Sequence, residues 1–285
     1  IMFRLREKLS ARRLDPIVAQ DLGETTMLIG KKGEAKTAIE TADSSSITVR
    51  GKDLCNEIMG HASIAEFFYF HLTGRQPNAD QAFFMDVLVV ALAEHGLTPS
   101  VQAARMTLAA APEALQGAVA AGLLGVGSVI LGSADVCGEM LDDAATRIEG
   151  GESPEAAALA IAREHKDAGK FISGFGHPIH HPVDPRAVRI LELADERGVS
   201  GRHVDALRAF PDAVAEVWGK PLPMNLQGPM AAVLLDLGFP KAAIRGIPIL
   251  ARTVGLLGHL NEEMERPIGF LLAHHGEEAI TYDGD

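Results

Sequence analysis

From Asp53 to Arg266 the chain is an almost unbroken series of helix-length segments, apolar on a helical repeat and separated by short Gly, Pro and Ser punctuation. Local start signals recur. Ser63 with Glu66 makes a capping box, and Ser153-Pro154 and Asp184-Pro185 each pair an N-cap with proline at the first helical position. Gly150-Gly151, Gly169 and Gly238 are the matching stops. Only Ser46–Gly51 and the short run Thr25–Ile29 read as strands. A chain written this way, with about twelve helices and at most two or three strands, is expected to be all-α. The last long helix is expected over Pro248–Glu265, closed by Arg266-Pro267.

One segment tests the alternative of a membrane protein. Ala114–Ala134 carries no charge and is long enough to span a bilayer. It is rich in Gly and Ala, holds Gln116, and is broken by Gly125-Val126-Gly127-Ser128. It is therefore expected to be a helix of roughly ten residues buried on all sides, followed by a loop, and a subunit-interface element. With 285 residues, 47% of them apolar, the chain can bury a large core in one domain or two. A net charge of −12 argues against nucleic acid or an anionic membrane as partner. Two cysteines, Cys55 and Cys137, make no disulfide framework and fit a cytoplasmic location. The basic N-terminal stretch from Arg4 to Arg13 lacks an apolar signal core and is expected to be a solvated leader.

The densest chemical clue is Ser173–Arg186, SGFGHPIHHPVDPR. Gly174 and Gly176 flank Phe175 and let the backbone turn tightly against a ligand just before His177. Arg186 falls in the first turn of the helix that Asp184 caps, where backbone N–H groups already favour an anion. An imidazole beside a guanidinium and a helix N-terminus suits a substrate with a carboxylate and a carbonyl; a plain surface loop is the competing reading. His177, His180 and His181 lie on a stretch stiffened by Pro178 and Pro182, with no helical ligand spacing, so no metal is expected. His95 sits at a helix junction in EHGLTPS, as a cap or a substrate group. Arg252 lies within the mostly apolar ILARTVGLLGHL, so it needs either an internal ion pair or a bound anion.

These stretches together resemble the citrate synthase family over roughly Ile47 to Phe270, most of the chain. The G-F-G-H loop, followed nine residues after its His by the Arg of D-P-R, is similar to a loop shared by citrate synthases and the citryl-CoA-cleaving module of ATP-citrate lyase. EHGLTPS and PILARTVGLLGHLNEEMERPIG resemble the family's histidine junction and its late R-x-x-G-x-x-x-H-x-x-E and R-P elements. The resemblance implies a two-domain helical dimer, with residues 1–132 and 239–285 in a large domain and 133–238 in a small, coenzyme A-side domain. It places His177 on the oxaloacetate carbonyl or citryl hydroxyl oxygen, and His95 on the substrate. Arg186 and Arg252 would hold carboxylates, and Arg266 would reach the neighbouring subunit's site. Gly174, Phe175 and Gly176 would bring backbone against the coenzyme A thioester.

Two departures shape the expected activity. The family's H-G-G-A-N loop resembles Leu131-Gly132-Ser133-Ala134-Asp135, so leucine stands where a thioester-polarising His is expected. The ATP-citrate lyase module also lacks that His, which leans towards cleavage. The family's N-V-D aligns with Asn225-Leu226-Gln227, replacing a general-base Asp by an amide that takes no proton at neutral pH. The expected function is cleavage of citryl-CoA, or a related carboxylated 3-hydroxyacyl-CoA, to acetyl-CoA and an oxo-acid. In it His177 shares the hydroxyl proton and Gln227 steadies the thioester oxygen. A citrate-synthase-type condensing enzyme and a non-catalytic thioester binder are the alternatives.

Overall fold

The computed structural model describes residues 35–284 apart from 128 and 132. Everything from Ala38 on belongs to one packed unit. The expected leader and the run Thr25–Ile29 lie outside the described residues. A small antiparallel sheet comes first: β1 (Glu40–Ala42), β2 (Ile47–Val49) and β3 (Lys52–Asp53), in that order, with Thr41 opposite Thr48 and Thr48 opposite Asp53. Asp53 then accepts the backbone N–H groups of Cys55 and Asn56 and opens a short π-helical turn, Leu54–Ile58. Val49, Ile58 and Phe70 fill the space beneath this sheet.

Twelve α-helices follow among the described residues. They are α1 (Ile64–Thr73), α2 (Ala79–Ala93), α3 (Pro99–Ala110), α4 (Leu115–Leu124), α5 (Ala134–Glu149), α6 (Pro154–Asp167), α7 (Pro185–Glu196), α8 (Arg202–Arg208), α9 (Phe210–Trp218), α10 (Gln227–Asp236), α11 (Gly246–Glu265) and α12 (Gly269–Glu278). The all-α expectation holds, and local chemistry explains most boundaries. Ser63 and Glu66 form the expected capping box, Asn78 and Gln81 form a second, and Ser153 and Asp184 accept first-turn N–H groups.

The helices pack in two sets. α3 lies against α4, α11 and α12, and α11 also packs along α2. Here Val101, Ala104, Leu108, Ala118, Leu256 and Leu260 make a separate cluster. In the other set α10 is central, flanked by α5, α7 and α8, while α6 pairs with α9. Gly228 through Leu234 are all buried, as expected for a helix apolar on every side.

Two expectations are corrected. α4 is not buried on all sides within the chain. Its Ala118 and Gly122 face α3 and α11, where a Cβ on Gly122 would lie 2.7 Å from Leu256, but Leu124 on the outer side is 87% exposed. The lack of charge reflects small residues needed for close packing on one face and an apolar surface on the other. No described helix is long and apolar enough to cross a membrane. Second, Pro248–Glu265 falls in the last long helix as expected, but a shorter one that the sequence reading does not include, α12, follows. Its start is supplied from a distance: Glu263, near the end of α11, accepts from Ile268 N at 3.0 Å and Gly269 N at 2.8 Å, while Arg105 of α3 grips the same carboxylate at 2.6 Å. Local sequence carries no such signal.

The approach of α11 to α2 sets up the site. A Cβ on Gly255 would sit 1.9 Å from the carbonyl oxygen of Ala93, so only glycine allows this crossing. Gly255→Ala should therefore destabilise the fold by about 2–3 kcal/mol in urea unfolding. Gly258→Ala on the same helix, with open space around it, should be neutral or gain about 0.5–1 kcal/mol. Equal stabilities for the two variants would refute the account of this crossing.

Candidate active site

The Gly174–His177 segment is shaped by a backbone exchange with the residues leading into α10. Gly176 N donates to Pro223 O at 2.8 Å, Asn225 N donates to Gly174 O at 2.9 Å, and Asn225 Nδ2 donates to Gly176 O at 3.0 Å. Gly174 and Gly176 hold φ of 86° and 87°, a region L side chains avoid. A Cβ on Gly174 would also meet Cys137 Sγ at 3.0 Å and Gly228 Cα at 3.2 Å. Phe175 is 8% exposed and packs against Phe210. Gly174 and Phe175 are thus packing residues beneath the site, not its lining as expected. Of the three only Gly176 lines the cavity.

That cavity, of about 520 Å³, gathers His95, His177, Arg186, Arg252 and Gln227 on its polar side. Leucine, isoleucine and valine from residues 129–131, with Leu97 and Leu226, form the apolar side. His177 Nδ1 accepts from the backbone N–H of Ile179 at 3.1 Å and of His180 at 2.9 Å. A neutral ring so held carries its proton on Nε2. Burial, with His180 adding to it, lowers the His177 pKa to about 4. His177 is therefore a neutral hydrogen-bond donor at pH 7. The expectation that it takes or shares a substrate proton is corrected on this ground, because the only nitrogen able to accept is already engaged.

His95 follows α2 directly, its Nε2 buried without a partner among the described residues. Burial lowers its pKa, with Arg186 and His180 contributing. The rings of His95, His177 and His180 stack edge to face or tilted at 4.5–5.1 Å between centroids. Nitrogens from all three lie within 4.8 Å of one another, a closer convergence than the loop spacing suggests. Such a set has enough donors for a metal ion, but Arg186 acts electrostatically on both His95 and His177, and Arg252 on His95, which favours an anion here.

The two arginines differ. Asp184, fully buried, accepts from Arg186 Nε at 3.1 Å and Nη2 at 2.8 Å as well as from its backbone N–H. The residue seen in the sequence as an N-cap is also the clamp that aims the guanidinium. Arg252 is 2% exposed, and its Nε and Nη1 have no partner among the described residues. Burial lowers its pKa, while Glu94 opposes the shift from a distance. No ion pair to Arg252 exists among the described residues, so the bound-anion reading gains over the internal salt bridge. Arg266, in contrast, lies away from this cavity at the end of α11, with its side chain 80% exposed.

Gln227 opens α10. Its backbone N donates to Asn225 Oδ1 at 3.0 Å, and its side-chain Oε1 accepts from Ser133 Oγ. With the carbonyl end occupied, the NH2 end is left for a ligand. Sequence reasoning missed Ser133, the clamp by Asp184 and the tie made by Asn225. All three are polar residues next to helix starts, where capping is the ordinary local reading.

Residues 28–269 match the family described as citrate synthase, C-terminal domain. The chain belongs to the citrate synthase family. It is 31% identical over 205 residues to the citrate synthase of Heyndrickxia coagulans, covering 70% of this chain and 52% of that one. The chain spans about half the length of the curated relatives it matches. The structure of citryl-CoA lyase from Hydrogenobacter thermophilus is similar, with a TM-score of 0.77 and 27% identity over 88% of this chain and 95% of that one. ATP citrate lyase from Methanothrix soehngenii, solved with citrate and coenzyme A, shares the fold at a TM-score of 0.72 and 21% identity, over 90% of this chain and 43% of that one.

Two measurements check this geometry. Arg252→Met should leave unfolding stability unchanged or raised, since it removes a desolvated charge with no ion-pair partner among the described residues. A loss of stability would restore the internal salt bridge. For His177 the folded pKa lies below the ordinary 6.5, so the unfolded chain takes the proton first as pH falls. Its contribution is whole above pH 6.5 and lost towards pH 4. His177→Asn, which keeps an acceptor for the two loop N–H groups, should flatten the fall in stability across that window.

Proposed function

We propose that the chain is a carbon–carbon lyase that cleaves citryl-CoA, or a related carboxylated 3-hydroxyacyl-CoA, to acetyl-CoA and an oxo-acid. The observation that carries this is a buried Arg252 guanidinium, without a partner among the described residues, lining the same cavity as the neutral Nε2–H donor of His177. One is suited to a carboxylate and the other to an oxygen that changes from hydroxyl to carbonyl. Arg186, held by Asp184, binds a second carboxylate. Likeness to a citryl-CoA lyase structure and leucine at position 131 both lean towards cleavage. The cavity's apolar side, including Leu131, is suited to the thioester arm.

In the proposed step the bond between the carbinol carbon and the thioester α-carbon breaks. The hydroxyl proton passes to His95 Nε2, the one buried ring nitrogen of the cluster without a partner, while His177 stabilises the oxygen. The bonding electrons pass to the thioester as an enolate, whose oxygen receives the Gln227 amide. His95 then returns the proton to the α-carbon and acetyl-CoA forms. Arg266 is assigned to the neighbouring subunit of a homodimer. Residues 133–238 are assigned to a small domain on the coenzyme A side, and 1–132 with 239–285 to the large one.

The test is incubation with citryl-CoA, following acetyl-CoA and oxaloacetate. His177→Ala should slow cleavage about 100-fold or more, the usual loss of an oxyanion donor. Arg186→Ala should weaken binding roughly ten- to a hundredfold. Gln227→Asp should lower cleavage by about 100-fold, because a carboxylate repels the enolate. A rate that survives His177→Ala would sink the assignment, and a higher rate in Gln227→Asp would show that a lost base, not a gained donor, defines this site. Condensation of acetyl-CoA with oxaloacetate to citrate is the second reading, supported by the relatives named citrate synthase. Release of citrate and free coenzyme A from citryl-CoA would favour it, and binding without turnover would favour a thioester-binding relative.

A further inference from the structure

Ser133 immediately precedes α5 and occupies its N-cap position, yet its side chain makes no capping bond. A serine there ordinarily accepts a first-turn backbone N–H on its side-chain oxygen. Its hydroxyl instead donates across the fold to Gln227 Oε1. Both residues are held from behind. α5 and α10 share a buried face, and Cys137, one turn into α5, lies beneath Gly174. Gln227 is fixed at its own backbone by Asn225, the same side chain that holds Gly176.

A primary amide has two ends with opposite hydrogen-bonding character, and an unrestrained glutamine can present either. A thioester oxygen that gains charge needs the NH2 end. We propose that Ser133 is a positioning residue that anchors the Gln227 side chain through its oxygen and leaves the NH2 group free for the thioester oxygen. This deepens the thioester reading above and rests on it. It also explains how an amide can serve where the family carries a carboxylate: anchored at its oxygen, the residue works as a donor.

The experiment separates this from the lyase assignment by using binding as well as turnover. Full-length wild type, Ser133→Ala, Ser133→Thr and Gln227→Ala are titrated with acetyl-CoA and with S-ethyl-CoA, which lacks the thioester oxygen, in the presence of oxaloacetate. Wild type should prefer acetyl-CoA about tenfold. Ser133→Ala and Gln227→Ala should lose the preference while binding S-ethyl-CoA as before, and Ser133→Thr, which keeps the hydroxyl, should retain it. Where citryl-CoA is cleaved, Ser133→Ala should lower kcat about tenfold with KM within twofold, and Ser133→Thr should restore it. The preference without cleavage would uphold the role of Ser133 and remove the lyase reading. A wild type without the preference, or a Ser133→Ala that keeps it, would overturn the proposal. So would a Ser133→Ala that weakens both ligands equally with a drop in unfolding midpoint, which marks a purely structural role.

Discussion

The site depends on a single side chain that touches no substrate in the proposed mechanism. Asn225 donates its backbone N–H to Gly174 O and its side-chain NH2 to Gly176 O, and its Oδ1 accepts the backbone N–H of Gln227. Those three bonds join the histidine-bearing turn to the first residue of α10. Because α10 is buried on all sides, the turn is referenced to the most rigid part of the core. The glycines on either side of Phe175 are the complement of this tie. One lets the chain pass Cys137 and Gly228, the other brings backbone to the cavity, and Phe175 anchors the turn against Phe210. Rigidity of this order is what keeps a donor within the narrow range in which it stabilises developing charge.

Electrostatics then sort the polar groups into roles. Arg252 is drawn out of water with no ion-pair partner among the described residues and only the distant Glu94 opposing the cost, an arrangement a fold sustains when an anion completes it. Arg186 is compensated by Asp184 and retains its charge and direction. The positive potential of the two is felt by the histidines, whose charged forms are already disfavoured by burial. Neutral imidazoles and fixed guanidinium groups in one cavity suit the anionic substrate proposed above, in which the charges would hold carboxylates and the rings would handle the oxygen and proton that move.

Helical class and most helix boundaries were legible because they are written locally, in capping boxes such as Ser63 with Glu66 and in proline starts such as Pro154 and Pro185. α12 was not, since its start is made by Glu263 and Arg105 from outside the segment. In the site, His95, His177, Arg186, Arg252 and Gln227 could be named from motifs and do share one cavity. The direction in which His177 works could not be named, because it turns on two backbone N–H groups meeting Nδ1, a matter of loop geometry alone. Phe175 was misread for the opposite reason. An aromatic residue between two glycines signals a close approach, but does not say whether the ring or the backbone faces the ligand.

The two departures from the family pattern, at Leu131 and Gln227, make most sense as one change. An imidazole polarising the thioester oxygen and a carboxylate taking a proton are complementary, one neutral or positive and the other negative. Removing only the histidine would leave a carboxylate near an oxygen that becomes an enolate, with like charges in a poorly hydrated cavity. Removing only the carboxylate would leave two donors and no acceptor. In the proposed mechanism, leucine at 131 and an amide at 227 leave a single uncharged donor in place of the charged pair, and Ser133 anchors that donor at its oxygen. In that mechanism proton acceptance falls to the histidine cluster, where His95 keeps a buried nitrogen without a partner among the described residues. In the proposed mechanism one group serves both directions, since the His95 that protonates the α-carbon after cleavage is, by microscopic reversibility, the base that would enolise the acyl thioester in condensation.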